Sequence, residues 1–453
     1  MFSLSSLRHT IVIILIAILS GIMILYFNRL IFPILAGFLL SFGFISYPLF
    51  GISILNISRG LLTYNIIEIG PFVFTYEGLL TLLIIPIGIL FIIFKKINPL
   101  KGPSATPFVL FLLFCFLGLF YASDYVELLR KWNRLLSYYI LYVIIFNISN
   151  NRKAIKWLIT SIFFAMIGPI IIGTLEVIDK IPLIEMDVIP EKGYVQGFMS
   201  KNAFGFFTAF MVLFSIAFYL MIQQPRLKKI LLIAITCLVI LLLLSITRAA
   251  WLGLSIGIII LFIFTRKSGA YLFLVILLSL ILYIFYPLMR EASLQVLPAK
   301  GDETTTWTVR KNLIWPAAWH AFLKSPIYGH GLGNDMEAIE PVKVVQGYFT
   351  YSPHNDYLNV LVETGLIGFS LYIWLIYTFL KPIILTVKKS DDLLILSLCS
   401  ASLSITFAYL VGGVFEHLLH SPGPGGYFFT IVAMSHGAIH HQAITYKIAK
   451  DNI

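Results

Sequence analysis

The stretch SPHNDYLNVLVETGLIGFS, residues 352–370, passes from turn-forming polar residues into an apolar helix with His354, Asn355 and Asp356 at the seam. Imidazole is the side chain that takes and gives protons near neutrality, so His354 is a candidate general base for a hydroxyl nucleophile. A histidine at a helix start is equally compatible with a structural role, and Asn355 or Asp356 is suited to capping the helix. Glu363 lies nine residues beyond His354. On a continuous helix that spacing turns it about 180° away, so it reads as a structural hydrogen-bonding group and not as the partner of His354.

A second kind of chemistry is cationic. Arg248 stands between two apolar runs in LLLLSITRAAWLGL. An arginine there is costly unless it snorkels to the interface or meets an anion. As an anion ligand it offers a planar fork, always charged, that suits a diphosphate. Lys201-Asn202 in QGFMSKNAFGFF, opening the span at 203, and the pair Arg310-Lys311, in the long segment 287–356, are further outward polar groups. Arg130, Lys131 and Arg134 form another basic set on the same side. Together these cations describe a pocket at the level of lipid head groups. A polyprenyl diphosphate would fit it, with its tail in the bilayer and its charge on the arginines.

A metal would need carboxylates on that side, and the candidates are poor. Glu68 and Glu77 are not adjacent, and Asp391-Asp392 sit at the opposite, basic end. His436, His440 and His441 have a ligand-like spacing but also fall at the basic end. No cofactor or metal is therefore expected, and cationic side chains take the place of a divalent ion. Few ionisable residues lie deep within the apolar runs, which argues against a transporter or flippase with a polar path through the bilayer.

The elements that must position these groups are membrane helices. The 453 residues are 59% hydrophobic and 12% charged, with mean hydropathy +0.94. The apolar runs are continuous, which excludes a β-barrel and fits a bilayer core of roughly 30 Å. Candidate spans are 10–27, 30–50, 78–94, 107–122, 135–148, 157–178, 203–222, 230–246, 249–265, 270–289, 357–379, 393–413 and 426–441. The expectation is an all-α polytopic membrane protein, a single membrane domain over 1–453, with about 12–14 transmembrane helices. The first run reads as a retained helix and not as a removed signal peptide.

The net charge of +11 follows from lysines and arginines in short gaps, such as Lys95-Lys96, Arg152-Lys153, Lys228-Lys229 and Lys388-Lys389. That is the positive-inside pattern, and it does not call for nucleic acid. It places segments 123–134, 179–202, 287–356 and 414–425 on the outer side. Cys115, Cys237 and Cys399 each lie in an apolar run and read as inert packing residues. In the long segment 287–356, Trp315, Trp319 and Phe322 fall on one helical stripe, expected to lie on the outer leaflet and roof a cavity. GHGLG (329–333) lacks the strand of a dinucleotide fingerprint and reads as a tight turn after Ser325-Pro326.

These motifs resemble the O-antigen ligase and O-antigen polymerase superfamily. His354-Asn355, Leu358 and Glu363-Thr364-Gly365-Leu366-Ile367-Gly368 resemble its His-Asn signature followed by Glu-x-Gly-Leu-x-Gly. Thr247-Arg248-Ala249 is similar to its Ser-Arg-Gly/Ala after a leucine-rich helix. Trp315, Pro326 and Gly329-x-Gly331-x-Gly333 are similar to its loop, and Gly197 with Asn202 to an upstream Gly-Asn element. Where the family often has arginine four residues before the loop tryptophan, this chain has Lys311, with Arg310 adjacent.

The resemblance implies a GT-C-type glycosyltransferase of the bacterial inner membrane, working on its periplasmic face without metal. It implies transfer of a glycan from undecaprenyl diphosphate, with inversion. Arg248 and Arg310 (or Lys311) would hold the diphosphate, and His354 would orient or deprotonate the acceptor hydroxyl. Lys201, Asn202, Asn355 and Trp315 are candidate substrate contacts. The acceptor is expected to be lipid A–core, for a ligase, or a second lipid-linked glycan, for a polymerase.

Overall fold

In a computed structural model the chain divides into two compact units, Met1–Ile52 and Ser53–Ile453. The structure describes residues 43–44, 46–61, 66–69, 72–179, 195, 197, 199–265, 310–339 and 352–451. Helix α1 (Pro48–Leu61) leads to a small antiparallel hairpin, β1 (Ile66–Ile69) and β2 (Phe72–Thr75), with Ile66 opposite Thr75. Then come α2 (Tyr76–Phe94), α3 (Ala105–Leu117), α4 (Tyr125–Ile148), α5 (Arg152–Asp179), α6 (Lys201–Tyr219), α7 (Pro225–Leu244) and α8 (Arg248–Thr265). Short helices α9 (Trp315–Lys324) and α10 (Asp335–Ile339) occupy part of the long hydrophilic segment. They are followed by α11 (Asp356–Lys389), α12 (Leu393–Gly412) and α13 (Pro422–Asp451).

The protein is an all-α, multi-pass membrane protein apart from the hairpin. Among the described residues, α5, α6, α7, α8, α11 and α12 are long and apolar enough to cross a membrane, and parts of α2 and α3 are shorter apolar helices. The spans expected at 10–27, at 270–289 and over most of 30–50 lie outside the described residues, as do 287–309 and 340–351 of the long segment.

One boundary differs in an instructive way. The segment 123–134 was expected to be an outer loop, yet α4 already begins at Tyr125. Asp124 caps it, accepting hydrogen bonds from Val126 N and Glu127 N, each at 2.9 Å. The early start follows from Lys131, whose charge is paired inside the protein and so does not require solvent.

The connectivity sorts the helix ends into two sets. Lys95-Lys96, Arg152, Arg226 and Lys388-Lys389 cluster at one end, where Arg152 pairs with Asp392 and Tyr139 Oη donates to Pro99 O at 3.0 Å. The first turns of α6, α8 and α11 and the last turn of α12 meet at the other end. Helix α8 reaches that end by close packing. Gly253 and Gly257, four residues apart, face α12. A β-carbon at Gly253 would lie 3.0 Å from Ala408 O, and one at Gly257 would lie 3.1 Å from Ser404 O. Small residues at this spacing let two membrane helices approach closely.

Helix α11 is broken where it meets the loop after α9. Gly365 has φ +61° and ψ −164°, a conformation closed to most side chains. The glycine-rich turn enters the break. His330 N donates to Val362 O (3.0 Å), Gly331 N to Glu363 O (2.8 Å) and Leu366 N to Pro326 O (2.8 Å). Backbone groups freed inside a membrane protein must be satisfied by protein, and this turn satisfies them. It can do so because Gly329 and Gly365 have no β-carbons, which would lie 2.4 Å from Glu363 O and 2.5 Å from Ile327 O. The GHGLG motif is thus a backbone plug for a broken helix.

Gly365→Ala combines positive-φ strain with this clash, so it should destabilise the protein by about 1–3 kcal/mol or more. Leu366→Ala, on the exposed face, should change the thermal midpoint in detergent far less. Equal midpoints for the two variants would contradict the plug.

Candidate functional site

At the end away from the basic gaps lies a cavity of about 410 Å³, lined by Lys201, Asn202, Thr247, Arg248, Arg310 and Glu416, with Leu252 and Phe415 among its apolar walls. Lys201 and Asn202 open α6, whose cap Ser200 accepts from Ala203 N at 3.3 Å. Arg248 is the first residue of α8, after the tight corner Ser245-Ile246-Thr247. Ile246 takes φ +52° there, unusual for a β-branched residue. Thr247 Oγ1 donates to Lys201 O at 3.1 Å and fills the space above Gly205. The corner is thereby tied to α6, and the two cations come to one mouth.

Arg310 reaches the cavity from the π-helical turn Arg310–Ile314 and donates from Nη1 to Phe415 O at 2.9 Å. Burial, opposed by Glu416 and reinforced by neighbouring Arg248, pushes its pKa down, though an arginine stays charged. Arg248 itself is exposed and has no ion-pair partner among the described residues. Lys311 is exposed and does not line the cavity, so of the adjacent pair Arg310 occupies the site.

His354 adjoins the same cavity through Glu416. Its Nδ1 lies 3.0 Å from Glu416 Oε1, while Asn202 Nδ2 donates to Glu416 Oε2 at 2.7 Å. Burial would raise the Glu416 pKa. The hydrogen bond and charge of His354, with His417 and Arg310, override this and hold the carboxylate below its ordinary range. An ionised carboxylate only accepts, so His354 donates to it from Nδ1, and in the neutral ring this leaves Nε2 as the acceptor.

The His354 backbone is itself constrained, with φ +45°. Trp315 Nε1 donates to Pro353 O at 2.9 Å, so this tryptophan fixes the chain just before the histidine. Asn355 Oδ1 is committed to capping α11, accepting from Tyr357 N (3.0 Å) and Leu358 N (3.1 Å). The aromatic stripe of α9 splits. Phe322 packs with Ala317, Ala318 and Ala321 against Ile339 and Val362, while Trp319 is exposed.

Beneath the cavity lies a second polar layer. Lys131 Nζ, from α4, donates to Glu363 Oε1 at 2.6 Å and to Asp335 Oδ1 at 2.9 Å. Asp335 is thereby held at about 2, the Lys131 charge overriding burial. Ser352 Oγ donates to Asp335 Oδ2 at 3.2 Å and also contacts His417 Nε2. His417 Nε2 accepts from His354 N at 3.0 Å. A chain of polar contacts thus runs from α4 through α10 to the His354 backbone. The neighbouring basic residues are structural too: Arg134 donates to His420 O, and Arg130 pairs with Glu127 at 2.7 Å.

Glu416 and His417 are the residues that sequence reasoning missed as site members. The sequence reading places them only within the outer segment 414–425. The available signal was FEHLLHSP (415–422), a carboxylate and two histidines in a segment already placed on the outer side. At the basic end, His436 is buried with Nδ1 2.8 Å from Tyr142 Oη and Nε2 3.1 Å from Phe379 O. Among the described residues, no three His, Cys, Asp or Glu side chains come together as a metal site.

Residues 232–373 match the O-antigen ligase family, a stretch that holds Arg248, Arg310, Trp315 and His354. Over that stretch, about a third of its length, the chain is similar to the O-antigen ligase-like superfamily. Within this superfamily, a Rickettsia conorii protein whose name gives it provisionally as a polysaccharide ligase is 31% identical over 144 residues, 30% of this chain and 35% of that one. A Rickettsia prowazekii protein of the same provisional name is 28% identical over 190 residues, 40% of this chain and 45% of that one. The matches therefore span less than half the length of either relative.

Burial, together with the charges of His354 and Lys131 and against those of Asp335 and Glu416, pushes His417 from 6.5 down to about 4. Its Nε2 acceptor role requires the neutral ring. Between these values an unfolded chain takes up a proton that the folded one refuses, so folding loses stability as pH falls from about 6.5 towards about 4. His417→Gln keeps an acceptor but not the titration. From about pH 7.5 to about pH 4.5, the wild-type thermal midpoint should fall further than that of the variant. Parallel curves would contradict this role.

Proposed function

We propose that the protein is a glycosyltransferase that moves a polysaccharide from a polyprenyl diphosphate, undecaprenyl diphosphate in a bacterial inner membrane, to an acceptor hydroxyl, acting as an O-antigen ligase with lipid A–core as acceptor. The observation that carries this reading is one cavity in which Arg248, Arg310 and Lys201 meet Glu416, the carboxylate that holds His354 Nδ1. The ligase reading, in preference to a polymerase, follows the family matched and the names of the relatives.

In this mechanism the acceptor hydroxyl gives its proton to His354 Nε2 as its oxygen attacks the anomeric carbon. Glu416, an ionised carboxylate whose Oε1 faces His354 Nδ1, stabilises the imidazolium that forms and fixes the ring. The bond between the anomeric carbon and the diphosphate oxygen breaks with inversion, and its electron pair leaves on the diphosphate. Arg248 and Arg310, with Lys201 beside them, neutralise that charge where a divalent cation would otherwise serve. The positive-inside pattern supports the periplasmic setting, since the cavity lies at the end opposite the basic gaps.

Purified protein with lipid-linked glycan and acceptor tests the reading. His354→Ala should lower turnover by about 10²–10⁴-fold. Arg248→Ala should lower it by about 10²–10³-fold. Both should leave the thermal midpoint close to wild type. Glu416→Gln should reduce kcat more than it raises KM. Chelator should leave transfer unchanged. Near-normal turnover in either alanine variant would remove that residue from the mechanism, and inactivation by chelator would remove the metal-free reading.

A further inference from the structure

A larger cavity, about 960 Å³, opens at the opposite, basic end of the bundle between α5 and α7. Its floor is Phe218 at the end of α6 and Met221 just beyond it, and its walls are apolar along α5 and α7. The two wall helices meet at their far ends, where a β-carbon at Gly173 would lie 3.1 Å from Leu241 and 3.2 Å from Phe204 of α6. From there they part towards the basic end. Pro169 lies within the stretch that lines the groove, between Ile167 and Ile170, and leaves the Ala165 carbonyl without its helical donor, a cause of helix bending.

The lip and the interior differ in chemistry. The lip carries Arg152, Lys156, Gln223 and Gln224. Arg152 pairs with Asp392, whereas the exposed Lys156 ammonium has no ion-pair partner among the described residues. Inside, the few polar groups are spent within their own helices: Thr160 Oγ1 donates to Lys156 O (2.8 Å) and Ser397 Oγ to Leu393 O (2.6 Å). A polar solute would find nothing to bind in the interior. An acyl chain would, and the volume is at the upper end of the roughly 300–1,000 Å³ of ligand sites.

We propose that this groove is a binding site for an anionic phospholipid of the leaflet at the basic end. Its phosphate rests between Lys156 and the glutamine amides, and its acyl chains lie between α5 and α7 down to the Gly173–Leu241 contact. Basic pockets between membrane helices on that side recognise anionic head groups in this way. The site is separate from the cationic cavity, and its test does not require the transfer reaction.

The test is native mass spectrometry of the full chain released from mixed phosphatidylglycerol and phosphatidylcholine vesicles. Wild type should retain phosphatidylglycerol preferentially. Lys156→Gln should reduce that preference about fivefold. Ala234→Trp, which fills the groove from α7, should lower the number of lipids retained, whatever their head group. Soluble glycerol phosphate should neither bind nor displace the lipid. Equal retention of the two lipids by wild type, an unchanged preference in Lys156→Gln, or binding of glycerol phosphate alone would each overturn the proposal. Lys156→Gln alters only an exposed side chain, so the proposal stays testable if Ala234→Trp fails to fold.

Discussion

A charge inside an apolar bundle must meet its opposite, and here Lys131 does so twice. Its ammonium bridges Glu363 of α11 and Asp335 of α10, with both carboxylate side chains almost fully removed from solvent. Removing one partner of such a group leaves an unpaired buried charge, which costs about 3–5 kcal/mol. Three elements distant in sequence are therefore locked together beneath the cavity. Glu363 Oε1 also accepts from Gly333 N at 3.0 Å, so the same carboxylate holds the end of the glycine-rich turn that plugs α11. Asp335 passes the constraint on through Ser352 and His417 to the backbone of His354. The cavity and the backbone of His354 thus stand on an ionic layer.

The fold class was legible because hydropathy in a membrane protein is a direct record of solvent. Arg248, Lys201 and Arg310 were legible for the converse reason, since cations at apolar helix ends demand an account. The structure brings these three together with His354 through Glu416, although they come from four separate elements. Glu416 was not legible as a partner, because it lies 62 residues from His354 and only the packing of α11 on α12 brings it near. Lys131 was misplaced for a related reason. On a linear reading a charged stretch looks like a loop, and nothing local shows that its counter-charges arrive from residues 335 and 363. Trp315 and Asn355, chosen as substrate contacts, have polar atoms that serve the backbone around His354.

Strain gathers around the same place. Ile246 and His354 are two of only three non-glycine residues with positive φ among the described residues. One immediately precedes the Thr247-Arg248 corner and the other is the histidine itself. Such conformations cost of order 1–3 kcal/mol each and persist only where their surroundings over-determine them. At Ile246 the surroundings are the Thr247 bond to α6 and the close α8–α12 packing. At His354 they are Trp315, His417 and the Asn355 cap. In the mechanism proposed above, such rigid placement of charge and imidazole would stabilise developing charge without reorganisation.

Helix α7 has a further consequence. Only 22% of its membrane window is covered by protein, yet it leads directly into the corner that presents Arg248. Leu252, one turn further along α8, is an exposed wall of the cavity. The cationic mouth is therefore flanked by greasy surface that faces lipid. An amphiphile anchored in the leaflet can arrive by sliding within the membrane plane, so its search is two-dimensional and its tail need never leave the hydrocarbon.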